Sequence, residues 1–233
     1  MLQLTDAAHP AEYALGLKEI WEVPADRLAP GTVIHTLGYP LRDEEFGGSW
    51  IYAMPGGRLS LGFVVGLSYK DPLFDPHGAF NHFKQHPFIS GLLEGGQMMR
   101  YGAKALPEGG WNTRPRLHVN GGLIVGDAAS FVNSMRLKGI HLAMRSGMLA
   151  AETAFEAVRS GDTSSRSLAA YKARVDGSAI KTELYPVRSV HQAFGHGLVA
   201  GSMAAGLAML TKGAALPDLP GHAGHEQMRM IED

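Results

Sequence analysis

The sequence predicts a mixed α/β (α+β) chain, an antiparallel sheet followed by a strand–turn–helix unit and a helical C-terminal stretch. Three observations carry that expectation. RLSLGFVVGLSY (58–69) alternates and then turns continuously apolar, as a central antiparallel strand does, and Pro55-Gly56-Gly57 precedes it as a hairpin turn. Apolar residues from 141 to 161 recur at helical spacing behind the turn Gly126-Asp127. Residues 190–210 contain no Asp, Glu, Lys or Arg.

Taken in order, YALGLKEIWEVP (13–24) reads as a strand with a short turn at Gly16, ending at Pro24. TVIHTLGYPL (32–41) and SWIYAM (49–54) are β-rich and separated by the loop RDEEFGG. Phe80, Phe83, Ile89 and Leu92 are spaced for short helices around Pro87. Residues 98–106 and 116–125 read as strands joined by a Gly- and Pro-rich loop. The helix at 141–161 has Gly161 as C-cap, and residues 163–189 predict another helix, broken near Pro186. The tail from Lys212 reads as irregular.

Composition narrows the function. The apolar fraction of 45% is that of a globular chain, and a formal charge of -1 gives no general attraction to nucleic acid. There is no cysteine, which excludes disulfides, thiolate catalysis and Cys-held iron–sulfur clusters within these residues. The N-terminal residues have no signal-peptide pattern. His35, His86, His141 and His191 fall in no metal-ligand spacing and read as satisfied polar residues, so no catalytic acid or base is assigned.

The segment GGLIVGDAASFVNSMRLKGIHLAMRSGMLAAE (121–152) suits a flavin site. Gly126 lets main chain approach a sugar–phosphate closely, and Asp127 can accept a hydrogen bond from a ribityl hydroxyl. A helix starting at Gly139 or Ile140, behind Lys138, turns free N–H groups towards the ring edge where negative charge collects on reduction. A strand–Gly-Asp–helix unit also occurs in α/β proteins that hold no cofactor.

The whole segment resembles the second flavin motif of glutathione-reductase-type and hydroxybenzoate-hydroxylase-type flavoproteins. The first motif of those families, G-x-G-x-x-G after a strand, is missing; Gly195-His196-Gly197 with Gly201 has the wrong spacing. YALGLKEIWEVP, HTLGYPL, FGGSWIYAM, LSLGFVVGLSYKDP, FKQHPFISGLLEGG and YGAKALPEGGW, in that order, resemble electron transfer flavoprotein–ubiquinone oxidoreductase over about residues 13–210. FixC-type quinone oxidoreductases are a second reading within the same class.

The resemblance implies a quinone-binding antiparallel sheet domain at 1–115, the C-terminal part of an FAD domain at 116–161, and a helical, membrane-associated segment and tail at 162–233. It implies electron flow from electron transfer flavoprotein through a 4Fe-4S cluster and FAD to ubiquinone. The cluster's Cys ligands and the N-terminal FAD fingerprint would belong to portions missing from this chain, which reads as a fragment rather than a separate subunit. Gly47-Gly48 match the glycines that hydrogen-bond a quinone carbonyl, and a side chain at 48 would block the ring; the pair also fits a turn or bulge before SWIYAM. Residues 190–210, with Gly197, Gly201 and Ala205 spaced for close helix contact, would dip into one leaflet of a bacterial or mitochondrial inner membrane, a monotopic placement. The alternatives are an FAD-dependent hydroxylase, a geranylgeranyl-reductase-like flavoprotein, or a non-catalytic membrane-associated remnant.

Overall fold

The computed structural model describes residues 4–5, 9–195, 197–215 and 217–231, so His196 and Leu2 lie outside the described residues. Two compact units form, one from Ala14–Leu106 with Gln227–Asp233, the other from Met1–Tyr13 with Pro107–Glu226.

The first unit is built on five strands, β1 (Tyr13–Glu22), β2 (Val33–Leu37), β3 (Gly47–Met54), β4 (Arg58–Gly66) and β5 (Gln97–Pro107), in the order β2-β3-β4-β1-β5. The run from Arg58 becomes the central strand because both its faces are buried. Leu59, Leu61, Phe63 and Val65 pack with Leu17 and Ile51 under α1 (Pro76–Lys84) and α2 (Pro87–Leu93). Those helices start where local chemistry dictates. Asp75 accepts the His77 N–H before Pro76, and the His86 ring nitrogen accepts the Phe88 N–H before Pro87. His86 therefore has a capping role. Phe80 of α1 stacks on Phe63 at 6.0 Å, and Phe83, Ile89 and Leu92 complete the layer. On the same covered side Glu19 is buried but paired, with Lys84 at 2.7 Å and the Trp21 indole N–H at 2.7 Å.

β1 contains no turn at Gly16. The strand runs through it, Gly16 opposite Val64, and a Cβ there would make ordinary contact with Leu106 of β5. β3 starts at Gly47, so Gly47 and Gly48 lie inside the ladder rather than in a turn before it.

The second unit is mainly helical. The expected strand at 116–125 is two two-residue strands, β6 (His118–Val119) and β7 (Gly122–Leu123), folded about Asn120-Gly121 with Gly121 at φ 70. Asn-Gly is a hairpin signal in its own right, and it overrides the apolar run on either side. Next, α3 (Ile140–Ser160) ends at Gly161 in the left-handed region. The helix expected over 163–189 divides at Gly177 and Ser178 into α4 (Ser165–Asp176) and α5 (Ala179–Leu184), capped by Ser164 and Ser178. Their core joins Phe131, Leu142, Leu149, Tyr171, Val175, Ile180 and Leu184.

The apolar stretch 190–210 is likewise two helices, α6 (Val190–Phe194) and α7 (Leu198–Thr211). Gly197 at φ 100 marks the break, and Gly201 makes room for the Phe194 ring, which any side chain there would overlap. The small residue at 201 thus serves packing between α6 and α7. Among the described residues, no helix is long and apolar enough to cross a membrane. A four-residue helix, α8 (Gly224–Gln227), interrupts the tail.

Candidate functional site

The flavin-type segment is held together within the second unit. Gly126 does not end a strand; it opens a 3-10 turn, Gly126–Ala129, with φ 66, after which Ser130 is left-handed at φ 58. Its N–H donates to the Ser146 hydroxyl at 2.9 Å, and that hydroxyl donates to the Ala143 carbonyl at 2.8 Å. A buried serine of α3 thereby fixes the turn, a role that helical periodicity alone does not reveal. Asp127 is half-buried beside it.

The loop leading to α3 is closed by a bridge between Asn133 and Lys138, with N–H···O distances of 2.8 and 3.2 Å. The Asn133 amide donates to Glu183 at 3.0 Å, and His141 meets the other oxygen of that carboxylate at 2.8 Å. This contact accounts for His141 as a structural residue. Gly139 is the N-cap; a Cβ there would press on Val132 and the Phe131 carbonyl. α3 begins with no side-chain cap and no acidic residue of its own in its first turn. Ile140 is 80% exposed, with Leu137 and Met144 also exposed nearby.

Gly126, Asp127, Lys138, Gly139 and Ile140 are thus gathered around one turn and one helix start. The donors, the left-handed glycine and the exposed apolar rim fit the pyrimidine edge and ribityl chain of a flavin. Lys138 directs its ammonium to the neighbouring Leu137 carbonyl at 3.3 Å.

Gly47 and Gly48 lie in the other unit. Ser49, Ile51 and Ala53 are buried on the helix-covered face, while Trp50 and Tyr52 are partly exposed on the other. In step with that alternation Gly48 falls on the open face and Gly47 on the covered one. β2 stops at Leu37, opposite Gly48, and Gly47 lies one step past that ladder's end. A Cβ at 47 would overlap the Val64 carbonyl and Leu41, and one at 48 would overlap the Thr36 carbonyl. The sheet itself therefore demands glycine at both positions.

The open face holds further residues that local patterns did not single out. Trp50 lies flat across Gly62, where any side chain would overlap its ring, and its indole N–H donates to Ser60 at 3.3 Å. Tyr52 packs beside it at 6.2 Å, and His35 meets Tyr52 edge-on at 5.6 Å. Next to Trp50 an open groove of about 540 Å³ is lined by residues of β1 and β5, among them Lys18, Arg100 and Lys104.

Elsewhere in the second unit a buried titratable cluster joins Glu12, Glu108, His191 and Gln192. The Glu12 carboxyl lies 3.1 Å from the His191 ring and 3.2 Å from the Gln192 amide, and its main-chain carbonyl accepts the Glu108 N–H at 2.8 Å. Burial pushes the Glu12 carboxyl up to about 7, against the Gln192 hydrogen bond. Glu108 rises to about 7 by burial and then by the charge of Glu12, and burial lowers His191 to about 4. The contact with His191 is accordingly a hydrogen bond of a neutral imidazole. Among the described residues, no group of His, Cys, Asp or Glu could hold a metal ion.

Residues 13–106 match the family model described as ETF-QO, ubiquinone-binding. The chain is 44% identical to the mitochondrial electron transfer flavoprotein–ubiquinone oxidoreductase of Arabidopsis thaliana, over 81% of this chain and 29% of that protein. Its counterpart in Caenorhabditis elegans is 37% identical, over 96% of this chain and 38% of the relative. That in Homo sapiens is 40% identical, over 78% and 30%. The chain thus spans about a third of the length of the curated relatives it matches. Among solved structures, a geranylgeranyl bacteriochlorophyll reductase-like protein from Thermoplasma acidophilum superposes with TM-score 0.64 at 18% identity, over 85% of this chain and 47% of that one. A flavoprotein/dehydrogenase from Cytophaga hutchinsonii gives 0.53 at 15% identity, over 84% and 45%. At such identities these two show the fold alone.

Proposed function

Because this chain corresponds in sequence to part of electron transfer flavoprotein–ubiquinone oxidoreductase, we propose that it supplies the quinone-binding sheet and the flavin-closing turn of such an enzyme. The observation that carries the reading is the match of residues 13–106, the five-stranded unit, to a ubiquinone-binding family. The complete activity would pass electrons from reduced electron transfer flavoprotein to ubiquinone. The 4Fe-4S cluster would reside in polypeptide beyond this chain, which has no cysteine.

FAD, when bound, would supply the electron-carrying ring. Gly126 would bring main chain against its ribityl–phosphate chain, and Asp127 would accept a ribityl hydroxyl. The uncapped start of α3 at Gly139 and Ile140 would favour negative charge on the pyrimidine edge, with Lys138 adding a positive charge nearby. Gly47 and Gly48 would offer amides to a quinone oxygen at the end of the β2 ladder.

The membrane part of the reading falls to α7. Val199, Met203, Leu207 and Leu210 recur at helical spacing and are 75, 72, 42 and 86% exposed. Fourteen residues are too few to span a bilayer core, which takes roughly 20, but enough to lie in one leaflet's interface.

FAD retention tests the flavin half. Co-expressed with the N-terminal portion of a relative, the chain is expected to yield a yellow complex with one FAD per complex. Gly126→Val should lower that content, because a β-branched residue at φ 66 is strained and the turn that Ser146 holds would have to change its backbone conformation. A colourless complex that nonetheless forms would remove the flavin assignment.

A further inference from the structure

Resting on the flavin reading above, we infer that the buried loop 108–113 ties the grip on FAD to the proton of Glu108, so that losing this proton loosens the flavin-closing turn. Glu108 is thus a positioning residue, acting on the turn through the loop. Carboxyl, loop and turn all belong to the second unit.

The loop packs on the turn at two points. Trp111 shares one core cluster with Ala129 and Phe131, the residues on either side of Ser130. Thr113 and Ser130 are both buried, and the Thr113 hydroxyl lies 3.4 Å from the Ser130 hydroxyl and 3.4 Å from the Gly110 carbonyl. The turn is therefore held from two sides, by Ser146 at the Gly126 N–H and by this loop at Ser130. At its other end the loop begins with Glu108, whose N–H donates to the Glu12 carbonyl. Glu108 is buried, and its Oε2 has no hydrogen-bond partner among the described residues. As a neutral acid the side chain can stay there; as an anion beside Glu12 it must reach water. Burial, and then the charge of Glu12, keep the proton on Glu108 up to about 7. The other charged groups around the loop face elsewhere. Glu12 meets His191 and Gln192, Arg114 meets Asp176 and the Trp111 ring, and Lys181 lies over that ring. Arg188 meets Asp218, with Asn112 and His9 close to that carboxylate. An ionised Glu108 that swings towards water pulls on Gly109, where there is no slack, since even a Cβ would overlap Thr113. The pull reaches Thr113 and, through it, Ser130.

The test is FAD binding by the reconstituted complex from pH 6 to 8.5, read by ultrafiltration. Beside it, hydrogen exchange follows the Ser130 and Phe131 amides, which close the turn on Asp127 and Gly126, in the 233-residue chain alone. In the unmodified complex the FAD dissociation constant should rise about tenfold over this range. Protection of the two amides should fall by a similar factor once intrinsic exchange rates are divided out. Glu108→Gln keeps the group neutral, so both quantities should stay within about twofold. Thr113→Val removes the hydroxyl and should weaken FAD binding several-fold at pH 6, and Thr113→Ser should restore it. A pH-dependence that persists in Glu108→Gln, flat amide protection in the unmodified chain, or unchanged binding in Thr113→Val would overturn the inference. FAD held equally at pH 6 and 8.5 would overturn it too, while leaving the flavin reading intact. A complex that holds no FAD at any pH would overturn the flavin reading, and this inference with it.

Discussion

Glu108→Gln is expected to raise the melting temperature at pH 8 and to leave it nearly unchanged at pH 4.5. The sign follows from where each group holds its proton. Glu12 and Glu108 keep theirs up to about 7 in the folded chain, whereas the unfolded carboxyls release them near 4.5. His191 works the other way, neutral down to about 4 when folded and protonated below 6.5 when unfolded. Between pH 4.5 and 6.5 the folded state therefore holds one net proton more than the unfolded state at this cluster. Its stability contribution falls with rising pH by about 1.4 kcal/mol per pH unit over that window. From 6.5 to about 7 the fall steepens, since only the two carboxyls then differ, and it levels off above. Removing one carboxyl cancels the slope across the lower window. Thermal melts of both proteins from pH 4.5 to 8.5 check this. Parallel profiles, or a variant less stable at pH 8, would mean that the carboxyl is hydrated or paired in solution.

Gly48→Val is expected to unfold the β2–β3 edge before it affects any ligand. Its Cβ would overlap the Thr36 carbonyl and press on Leu37, and main chain cannot move aside as a side chain can. Overpacking of this kind costs about 1–3 kcal/mol. A melting temperature lowered by several degrees, with weakened protection of the Val33–Leu37 amides in hydrogen exchange, is the expected result. From the sequence, a side chain at 48 is expected to act by blocking quinone approach. The register corrects that: a loss of quinone turnover in this variant would report the sheet as much as the site.

Much of this was legible because it is local. The hairpin at Pro55-Gly56-Gly57, the doubly buried strand behind it and the capped helices at Pro76 and Pro87 are each written in a few consecutive residues. Where two local signals competed, the reading failed. Asn120-Gly121 folded an apparent strand into a hairpin, Gly177 and Ser178 divided a helix, and Gly197 did the same in the apolar stretch. Gly16 gave the opposite error, since the strand runs straight through it opposite Val64 without any turn.

The site was visible to a similar degree. The flavin-type residues are contiguous enough to be found by motif, but Ser146 lies a full helical stretch away and joins them only through α3. The groove residues come from β1, β3 and β5, and only strand order brings them to one face. Glu12 and Glu108 look like loop carboxylates in AEY and PEGG. Glu12 meets α6, remote in sequence, through His191 and Gln192, and Glu108 joins it through the Glu12 main chain.

Reoxidation of a bleached flavin by ubiquinone-1 in the reconstituted FAD complex tests the central claim most directly. Rapid, quinone-dependent return of the yellow colour under anaerobic conditions is predicted. A complex that stays bleached with quinone yet recolours with oxygen would contradict the account and point to a hydroxylase instead.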